Sequence, residues 1–346
     1  MSAATGTADT EQRGKADVHA RAGDFTVILC AYTEDRWEQL RSAVQSVQAQ
    51  TTPPAEIILV VDHNPSLLER ARAGLAGVRV LENQEAPGLS GARNSGIRAT
   101  SSDFIAFMDE DAAAAPDWLA ELQVGFQHPN VIAVGGWIEP VWHTERPGWF
   151  PEEFNWVVGC SYRGLPEKTS PVRNLIGANM AFRRGVFQAA GYFRNGIGRI
   201  GKVPVGCEET ELCIRAQQRL PGSLLLLQPE ARVWHLVPGN RATWRYFFAR
   251  CYAEGLSKAL VTRFVGARDG LSSEREYTWR TLPRGVWRGL VDGISQRAPS
   301  GFLRAFAILA GLATTTTGYV AGQFKNLRLK PWRAAPTPGL SDNLHD

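Results

Sequence analysis

The strongest constraint on the fold is a regular alternation of short apolar runs with helical stretches over the first 110 residues. The runs are rich in β-branched residues and are separated by polar helical patterns and turn residues. They read FTVILCAY (25–32), EIILVVD (56–62), VRVLEN (78–83) and DFIAFM (103–108). Because such alternation is typical of a mostly parallel sheet covered by helices, ligands are expected at the carboxyl ends of the strands.

Three consecutive acids follow the fourth run directly. Alternate side chains of a strand point to the same side, so Asp109 and Asp111 are expected to face the ligand crevice together. Two carboxylates on one face favour Mg²⁺ or Mn²⁺, which bind oxygen ligands and often bridge to the phosphates of a nucleotide. The alternative is a solvated turn whose acids favour the N-terminus of the following helix, near Asp117.

Polar residues also close the other strands. The second run ends at Asp62, the first leads into Thr33-Glu34-Asp35, and PGLSGARN supplies glycines together with Arg93. Glycines let the backbone approach a ligand, and an arginine binds phosphate or carboxylate groups. The plain alternative makes Asp62 a cap at a strand end and Arg93 one half of a surface ion pair.

The order of these motifs resembles the family 2 glycosyltransferases with the GT-A fold. The resemblance covers about residues 25–235 and is carried by VILCAYTEDR, IILVVD, GLSGARNSGIRATSSDFIAFMDED, NLIGANMAFRR and EETELCIR. Its specificity lies in several motifs at compatible spacing, since an Asp-x-Asp alone is a weak signal. The resemblance implies an α/β fold of GT-A type, with a mostly parallel central sheet flanked by helices and a C-terminal helical extension.

The resemblance also implies roles for individual residues of a donor site. The residues that match nucleotide-sugar-binding positions are Ala31, Tyr32, Glu34, Asp62, Arg93 and Asp109. Asp111 matches the metal ligand beside the diphosphate, and His235 matches a histidine near the diphosphate and metal. A satisfied, half-buried histidine is the alternative for His235. The implied partner is a nucleotide-sugar donor, and the implied cofactor is Mn²⁺ or Mg²⁺.

The segment GCEETELCIR looks like the family's Glu-Asp-x-Asp-Leu-x-x-Arg element and places Glu209 where the catalytic Asp usually stands. A carboxylate within hydrogen-bond reach of an acceptor hydroxyl can remove its proton as the oxygen attacks. The alternative is a charged first turn that favours the helix dipole. The acceptor side is expected to include Glu208, Asn179 and, from the preceding loop, Arg199, although Asn179 could simply satisfy backbone groups.

Charge and cysteine content exclude several classes of protein. A formal net charge of +4 with scattered basic residues gives no case for a nucleic-acid partner. Five widely spaced cysteines without a Cys-x-x-Cys pair argue against a disulfide framework or a structural zinc, and they favour a reducing compartment. The N-terminus lacks the apolar core of a secretory signal. A cytoplasmic location is therefore expected, at the inner face of the cell membrane if the C-terminal region binds lipid.

The predicted organisation is, in chain order, an N-terminal tail, a catalytic domain, a helical region and a C-terminal tail. The predicted ranges are a flexible tail at 1–23, a GT-A domain at 24–240 with halves at 24–118 and 119–240, a helical region at 241–330 and a tail at 331–346. An amphipathic helix is predicted over 241–264.

The helical region contains 20 residues without a charge, 305–324, followed by Lys325, Arg328 and Lys330. The length suits a membrane span, and the basic flank suits anionic cytoplasmic lipid. Four threonines, three glycines and a glutamine weaken the case for a span. A helix docked on the catalytic domain, or lying at the membrane interface, is equally compatible with the composition. Membrane contact would indicate a lipid-linked acceptor such as a polyprenyl phosphate sugar.

The favoured function is an inverting, metal-dependent transfer of one sugar from a UDP-sugar to the hydroxyl of a glycan or lipid-linked acceptor. Single transfer is favoured because the Gln-x-x-Arg-Trp element of processive synthases is missing from the sequence. A glycoside hydrolase also needs two carboxylates, but the nucleotide-type strand ends argue against it. A non-catalytic module that binds nucleotide sugar or glycan remains an alternative, since Glu stands in place of Asp at position 209.

Overall fold

The computed structural model describes residues 25–197, 206–295 and 297–324; the predicted tails 1–23 and 331–346 lie outside these ranges. The strands are β1 (Phe25–Ala31), β2 (Glu56–Val61), β3 (Arg79–Glu82), β4 (Phe104–Asp109), β5 (Ala112–Ala114), β6 (Val131–Trp142), β7 (Ser170–Pro171), β8 (Asn179–Arg183) and β9 (Leu224–Val237). The α-helices are α1 (Trp37–Gln48), α2 (Pro65–Gly74), α3 (Leu89–Ala99), α4 (Trp118–Gly125), α5 (Gly185–Ala190), α6 (Glu208–Arg219), α7 (Trp244–Val265), α8 (Ala267–Gly270), α9 (Ser272–Glu276), α10 (Leu282–Ser295) and α11 (Pro299–Phe324). Short 3-10 helices lie at Glu34–Arg36, Glu152–Val158 and Gly239–Arg241, and a π-helical turn at Tyr277–Thr281 leads into α10.

The first half of the sheet is parallel, as the alternation of strands and helices predicts. The order of the main strands is β3-β2-β1-β4-β8-β6-β9-β5, and β1 pairs in parallel with both β2 and β4. Cys30 lies opposite Asp109, and Ala31 lies opposite Val61. The carboxyl ends of β1, β2 and β4 therefore meet at one edge, where their polar extensions can face a common ligand.

The second half of the sheet is mixed. Strand β8 runs antiparallel to β4 and to β6, while β9 runs parallel to β6. The short β5 follows the acidic turn and pairs antiparallel with β9, so that Ala112 lies opposite His235. This pairing brings a histidine that is distant in sequence to the carboxyl edge of β4.

Both faces of the sheet are buried. One face of β1, with Val27 and Leu29, packs against α1, α2 and α4, whereas the opposite face, with Ile28, packs against α3, α5 and α6. Continuous apolar runs follow from this arrangement, because a strand covered on both sides has no solvent face.

The C-terminal helices share the core of the sheet rather than forming a core of their own. A helix is present where one is predicted over 241–264: α7 begins after the capping residue Thr243 and buries Phe247. The prediction that it is amphipathic is wrong, because buried residues lie on all sides of α7 where other helices cover it. Ile308 of α11 belongs to the same apolar cluster as the strands. Helix α11 is long and apolar enough to cross a membrane, by length and composition alone. In its most apolar stretch of 18 residues, 33% is buried against the rest of the protein.

Candidate active site

Two pockets meet at the carboxyl edge of the parallel strands. The strand-end pocket, of about 340 Å³, lies beyond β1, β2 and β4. The helical pocket, of about 430 Å³, lies between the start of α6, α7, the π-helical turn and α11. Asp109 and Gly159 line both pockets. Molecules bound in the two pockets would therefore lie next to one another at Asp109.

Three side chains of metal-ligand type lie together in the strand-end pocket. Ligand atoms of Asp109, Asp111 and His235 all lie within 4.8 Å of one another, and His235 Nε2 is 3.1 Å from Asp111 Oδ1. Asp109 ends β4, Asp111 lies in the turn between β4 and β5, and the histidine comes from β9. Carboxylate oxygens suit Mg²⁺, and a set that also includes an imidazole suits Mn²⁺. The trio therefore fits a divalent cation.

Two arginines face the same acidic turn. Arg36 Nη1 lies 2.7 Å from Glu110 Oε1 and 3.1 Å from Asp111 Oδ2, and Arg241 Nη2 lies 3.7 Å from Asp111 Oδ2. Burial alone would raise the pKa of Asp111, but the charges of His235, Arg36 and Arg241 hold it well below its usual range. Burial, reinforced by the Asp111 charge, raises the pKa of Glu110 to about 7. Asp111 is thus an anion at neutral pH, as a metal ligand must be.

Asp62 closes the opposite end of the strand-end pocket. Its Oδ1 accepts a 2.7 Å hydrogen bond from the Asn83 amide, and its Oδ2 accepts a 2.8 Å bond from the Gly88 N–H. Gly88 has a φ of 123°, which glycine adopts without steric cost and which lets the backbone line the pocket. Ala31 and Tyr32 follow β1 at the same edge, and Tyr32 is 40% exposed. An open aromatic ring beside a fixed carboxylate suits a base with its ribose.

The structure does not bring Glu34 and Arg93 to this part of the site. Glu34 lies at the surface, with its Oε2 3.5 Å from Arg70 Nη1, and it is not among the residues that line either pocket. Arg93 lines the helical pocket and is only 2% exposed. Its Nη1 is 2.8 Å from Glu208 Oε1, and its Nη2 is 3.6 Å from Asp109 Oδ1. The buried guanidinium therefore links Asp109 to the start of α6.

Helix α6 presents two glutamates to the helical pocket. Cys207, which precedes the helix, has a φ of 73°, a left-handed conformation that costs a non-glycine residue on the order of 1 kcal/mol or more. The first turn directs Glu208 to Arg93, while Glu209 lines the pocket beside it and accepts a 3.3 Å bond from the Thr210 hydroxyl. Burial, and next the charge of Glu208, raise the pKa of Glu209 to about 8. A carboxyl group with a pKa near the operating pH is suited to proton transfer.

A half-buried ion network forms the far wall of the helical pocket. Lys258 Nζ lies 2.5 Å from Glu274 Oε1 and 3.2 Å from Glu254 Oε1, and Arg173 binds both oxygens of Glu274 at 2.6 and 3.0 Å. Burial alone would lower the pKa of Lys258, but the two acids raise it above its usual value, so the lysine stays charged. Tyr277 and other apolar side chains form much of the remaining wall. The pocket is therefore polar near Glu209 and partly apolar toward the C-terminal helices.

The other two residues expected on the acceptor side do not contribute to the observed pockets. Asn179 is fully buried; its Oδ1 accepts from the Trp118 indole at 2.7 Å, and its Nδ2 donates to the carbonyls of Trp137 and Ala231. Its amide is thus used by the core, and it is not among the residues that line either pocket. Arg199 lies outside the described residues.

Sequence reasoning missed Arg36, Arg241 and the walls built by α7 and α11. Arg36 ends the quoted motif VILCAYTEDR, so its place after β1 was a usable signal. Arg241 follows β9 in a 3-10 turn, and only the position of that turn beside β5 brings it to Asp111. Which faces of α7 and α11 line a pocket depends on long-range packing, for which the sequence carries no periodic signal.

Comparisons with known proteins agree with this geometry. Residues 26–191 match the family model described as glycosyl transferase family 2. The chain is 35% identical over 240 residues to a glucosyl-dolichyl phosphate glucuronosyltransferase of Haloferax volcanii, covering 68% of this chain and 76% of the relative. It is 24% identical to the succinoglycan biosynthesis protein ExoM of Rhizobium meliloti, covering 70% of this chain and 80% of that protein.

A solved structure shows the same fold. The mannosyltransferase PcManGT from Pyrobaculum calidifontis, in complex with GDP-Man and Mn²⁺, matches with a TM-score of 0.54 and 17% identity over 92% of each chain. This likeness confirms the predicted GT-A type of α/β fold. Together with the family model and the 35% identity over 76% of the relative from Haloferax volcanii, it leads to one assignment. The chain belongs to the family 2 glycosyltransferases and is a nucleotide-sugar-dependent glycosyltransferase.

Proposed function

We propose that the protein is an inverting, metal-dependent glycosyltransferase that moves one sugar from a UDP-sugar to a hydroxyl of a lipid-linked glycan on the cytoplasmic side of a membrane. One observation carries the proposal: the two pockets meet at Asp109. The strand-end pocket contains the candidate metal ligands Asp109, Asp111 and His235, and the helical pocket contains Glu209. The donor and the acceptor each have a pocket, and the reacting atoms would meet at their junction.

The strand-end pocket would hold the nucleotide diphosphate. The Tyr32 ring can stack on the base, and the Asp62 carboxylate can accept hydrogen bonds from base or ribose donors. Arg36 and Arg241 supply positive charge on the same side of the pocket as the trio, where the diphosphate would lie. Glu34 and Arg93 are not part of this proposal, because one lies at the surface and the other is paired inside the helical pocket.

Asp109, Asp111 and His235 would hold Mn²⁺ or Mg²⁺, and the bound cation would neutralise charge on the leaving diphosphate. Burial lowers and the Asp111 charge raises the pKa of His235, with a net rise well above its usual value. A cation at this site would therefore replace a proton on the imidazole, so that metal binding is expected to weaken as pH falls.

Glu209 would act as the general base toward the acceptor. Its carboxylate takes the proton of the acceptor hydroxyl while the oxygen forms a bond to the anomeric carbon. The bond from that carbon to the diphosphate oxygen breaks, and the nucleoside diphosphate leaves. Because one displacement occurs at the anomeric carbon, its configuration inverts. Arg93 pairs with Glu208, which limits the negative charge that Glu209 experiences.

The lipid-linked acceptor is supported by the name of the relative from Haloferax volcanii, which includes a dolichyl phosphate. It is also supported by the helical pocket, whose polar end lies at Glu209 and whose remaining wall includes Tyr277, Leu312 and Tyr319. A sugar would fit the polar end, and the start of a lipid chain would fit the apolar end.

Calorimetric titration with a panel of UDP- and GDP-sugars, with and without Mn²⁺, tests the donor part. One donor should bind in the presence of Mn²⁺, and Asp111→Asn should remove this binding. The exposed Asp117→Asn, which removes an acid of the following helix, is the matched control and should bind like the parent. Absence of binding by every nucleotide sugar would refute the proposed donor site.

The stereochemistry is tested separately. Proton NMR of the first product should show the anomeric configuration opposite to that of the donor sugar. Glu209→Gln should keep donor binding and lose transfer. Retention of configuration, or full transfer by Glu209→Gln, would refute the role given to Glu209.

A further inference from the structure

Helices α10 and α11 expose a large apolar surface. They form an antiparallel hairpin in which Gly289 approaches the backbone of Gly301. The hairpin face is defined as nine of the exposed apolar side chains in this region: Trp279 of the preceding turn, Trp287, Val291, Ile294, Phe302, Phe306, Leu309, Val320 and Phe324. Leu290 and Leu303 are exposed as well. Trp287 is 68% exposed, Ile294 71% and Phe324 85%. Helical spacing puts Trp287, Val291 and Ile294 on one side of α10, and Phe302, Phe306 and Leu309 on one side of α11. Exposed apolar side chains grouped in this way mark an interaction site.

The packing of α11 argues against a membrane span. A Cβ atom on Gly318 would lie 2.2 Å from the Tyr252 carbonyl oxygen, so α11 contacts the backbone of α7 directly. Arg263 of α7 donates to the carbonyls of Gly322 and Gln323 at the end of α11. Helix α7 also carries the half-buried, charged Lys258, so a bilayer around α11 would have to cover charged groups or separate the two helices.

The charge around the hairpin face is positive. Between residues 277 and 324 the sequence contains five arginines, Arg280, Arg284, Arg288, Arg297 and Arg304, and one acid, Asp292. Arg284 is exposed and lies three residues before Trp287 in α10, on the same side of the helix. Arg280, Arg288 and Arg304 form ion pairs with Glu276, Glu153 and Asp292, so the five arginines face three acids and the net charge stays positive. Basic residues beside exposed tryptophan and isoleucine are the pattern of a helix that lies in the interface of an anionic bilayer.

The threonines of α11 do not oppose this arrangement. The hydroxyls of Thr314, Thr315, Thr316 and Thr317 each donate to the carbonyl four residues earlier in the same helix, at 2.7 to 2.9 Å. A hydroxyl satisfied within its own helix needs no water partner, so contact with lipid head groups or acyl chains costs less. The sequence alone does not reveal this, because the composition counts each threonine as polar.

The helical pocket adjoins the same surface. Leu312, Thr315, Thr316 and Tyr319 of α11 line the pocket, and Thr316 is also exposed to solvent. Tyr277 and Leu282 line it from the segment that carries Trp279. An acceptor whose sugar lies near Glu209 would therefore find its lipid portion next to the hairpin face.

We infer that the α10–α11 hairpin docks the enzyme on the surface of an anionic bilayer without crossing it, so that the helical pocket opens at the head groups. The docking surface stands on its own observations, whereas the part concerning the acceptor rests on the proposed function. The partner is a lipid surface, recognised through the tryptophan and isoleucine side chains and the arginines beside them.

Vesicle flotation with purified full-length protein tests the surface. The protein should float with phosphatidylcholine vesicles that contain phosphatidylglycerol, and bind vesicles of phosphatidylcholine alone much more weakly. Trp287→Ser combined with Ile294→Ser should weaken binding at least tenfold. Arg280→Gln combined with Arg284→Gln should weaken binding to anionic vesicles roughly tenfold or more, with a reduced salt dependence. Val124→Ser, which removes an apolar side chain that is 45% exposed on α4, should bind like the parent.

A site-specific label tests the orientation. The cysteines of the chain, Cys30, Cys160, Cys207, Cys213 and Cys251, are all buried, so a cysteine introduced on the surface can be labelled selectively. An environment-sensitive dye on Ile294→Cys should shift to the blue when anionic vesicles are added, whereas the same dye on Val124→Cys should not.

Two outcomes would overturn the inference. Unchanged vesicle binding by both double variants is one. The other outcome has three parts: light scattering shows a concentration-dependent dimer, Trp287→Ser with Ile294→Ser converts it to a monomer, and vesicles have no effect. The hairpin face would then bind a second copy of the chain instead of a bilayer. Donor binding measured by calorimetry should be the same in all these variants, which separates failure of docking from failure of the proposed function.

Discussion

Replacing Glu209 with glutamine should remove activity and at the same time stabilise the protein at high pH. The folded-state pKa of Glu209 is raised from 4.5 to about 8, because the carboxyl group is buried and lies beside Glu208. Between these two pH values the folded state holds a proton that the unfolded state has released. The free energy of unfolding therefore falls as pH rises through this window, and the loss is complete above about pH 8.

The size of the effect follows from the same values. At about 1.4 kcal/mol per pH unit, a rise from 4.5 to about 8 corresponds to at most about 5 kcal/mol at pH 9. Glu209 lines an open pocket, so solvent reduces this value, and we expect about 2 kcal/mol. Glutamine does not titrate and avoids the loss. Glu209→Gln should thus melt roughly 4 °C or more above the parent at pH 9, and close to the parent at pH 5.

The assay is thermal unfolding in chelator and without donor, so that neither a cation nor a nucleotide changes the charge near Glu209. Glu230→Gln, an exposed glutamate on β9, is the control and should show no pH-dependent difference. In parallel, kcat/KM of the parent should rise about tenfold per pH unit below pH 8, and Glu209→Gln should lose about 10²- to 10⁴-fold. An equal melting difference at pH 5 and pH 9 would refute the pKa argument, and a flat kcat/KM profile would refute the role as base.

Three further predictions concern single contacts. Arg93→Met should lower the free energy of unfolding by about 3–5 kcal/mol, because it leaves the buried Glu208 carboxylate without its guanidinium partner. In chemical denaturation, the double variant with Glu208→Gln should recover part of that loss. Gly318→Val should destabilise by about 1–3 kcal/mol, since a Cβ atom there would meet the backbone of α7, whereas Ala313→Val on the exposed side of α11 should be close to neutral in the same melting assay. Asp62→Asn should weaken donor binding about tenfold or more in calorimetry, and unchanged binding would place the nucleotide elsewhere.

The sequence predicts which strand ends meet at one edge of the sheet, because alternating strands and helices are local patterns that indicate parallel pairing. The runs ending at Ala31, Asp62 and Asp109 pair in parallel, and that pairing alone carries their polar extensions to one edge. Asp111 and His235 come together because β5 pairs with β9. The sequence gives little sign of this pairing, since β5 is only three residues long.

Arg93 and Asn179 show where sequence reasoning stops. Both belong to motifs that the sequence singles out, yet one side chain lies in a buried ion pair with Glu208 and the other in hydrogen bonds with Trp118 and two backbone carbonyls. A motif fixes the place of a residue in the chain, whereas the direction of its side chain is set by partners that are distant in sequence. Glu208 is 115 residues from Arg93, and no periodicity relates them.

The position of Arg93 gives the two pockets a physical connection. Its guanidinium lies between Asp109, which lines the strand-end pocket, and Glu208, which precedes Glu209 in the helical pocket. A cation that binds Asp109 would weaken the attraction between Asp109 and Arg93, and the guanidinium would then interact more strongly with the acids of α6. Because positive charge near Glu209 lowers its pKa, loading the donor site is expected to favour the carboxylate form of the base. Binding of the cation at Asp109 would therefore increase the fraction of Glu209 that is negatively charged and able to accept a proton.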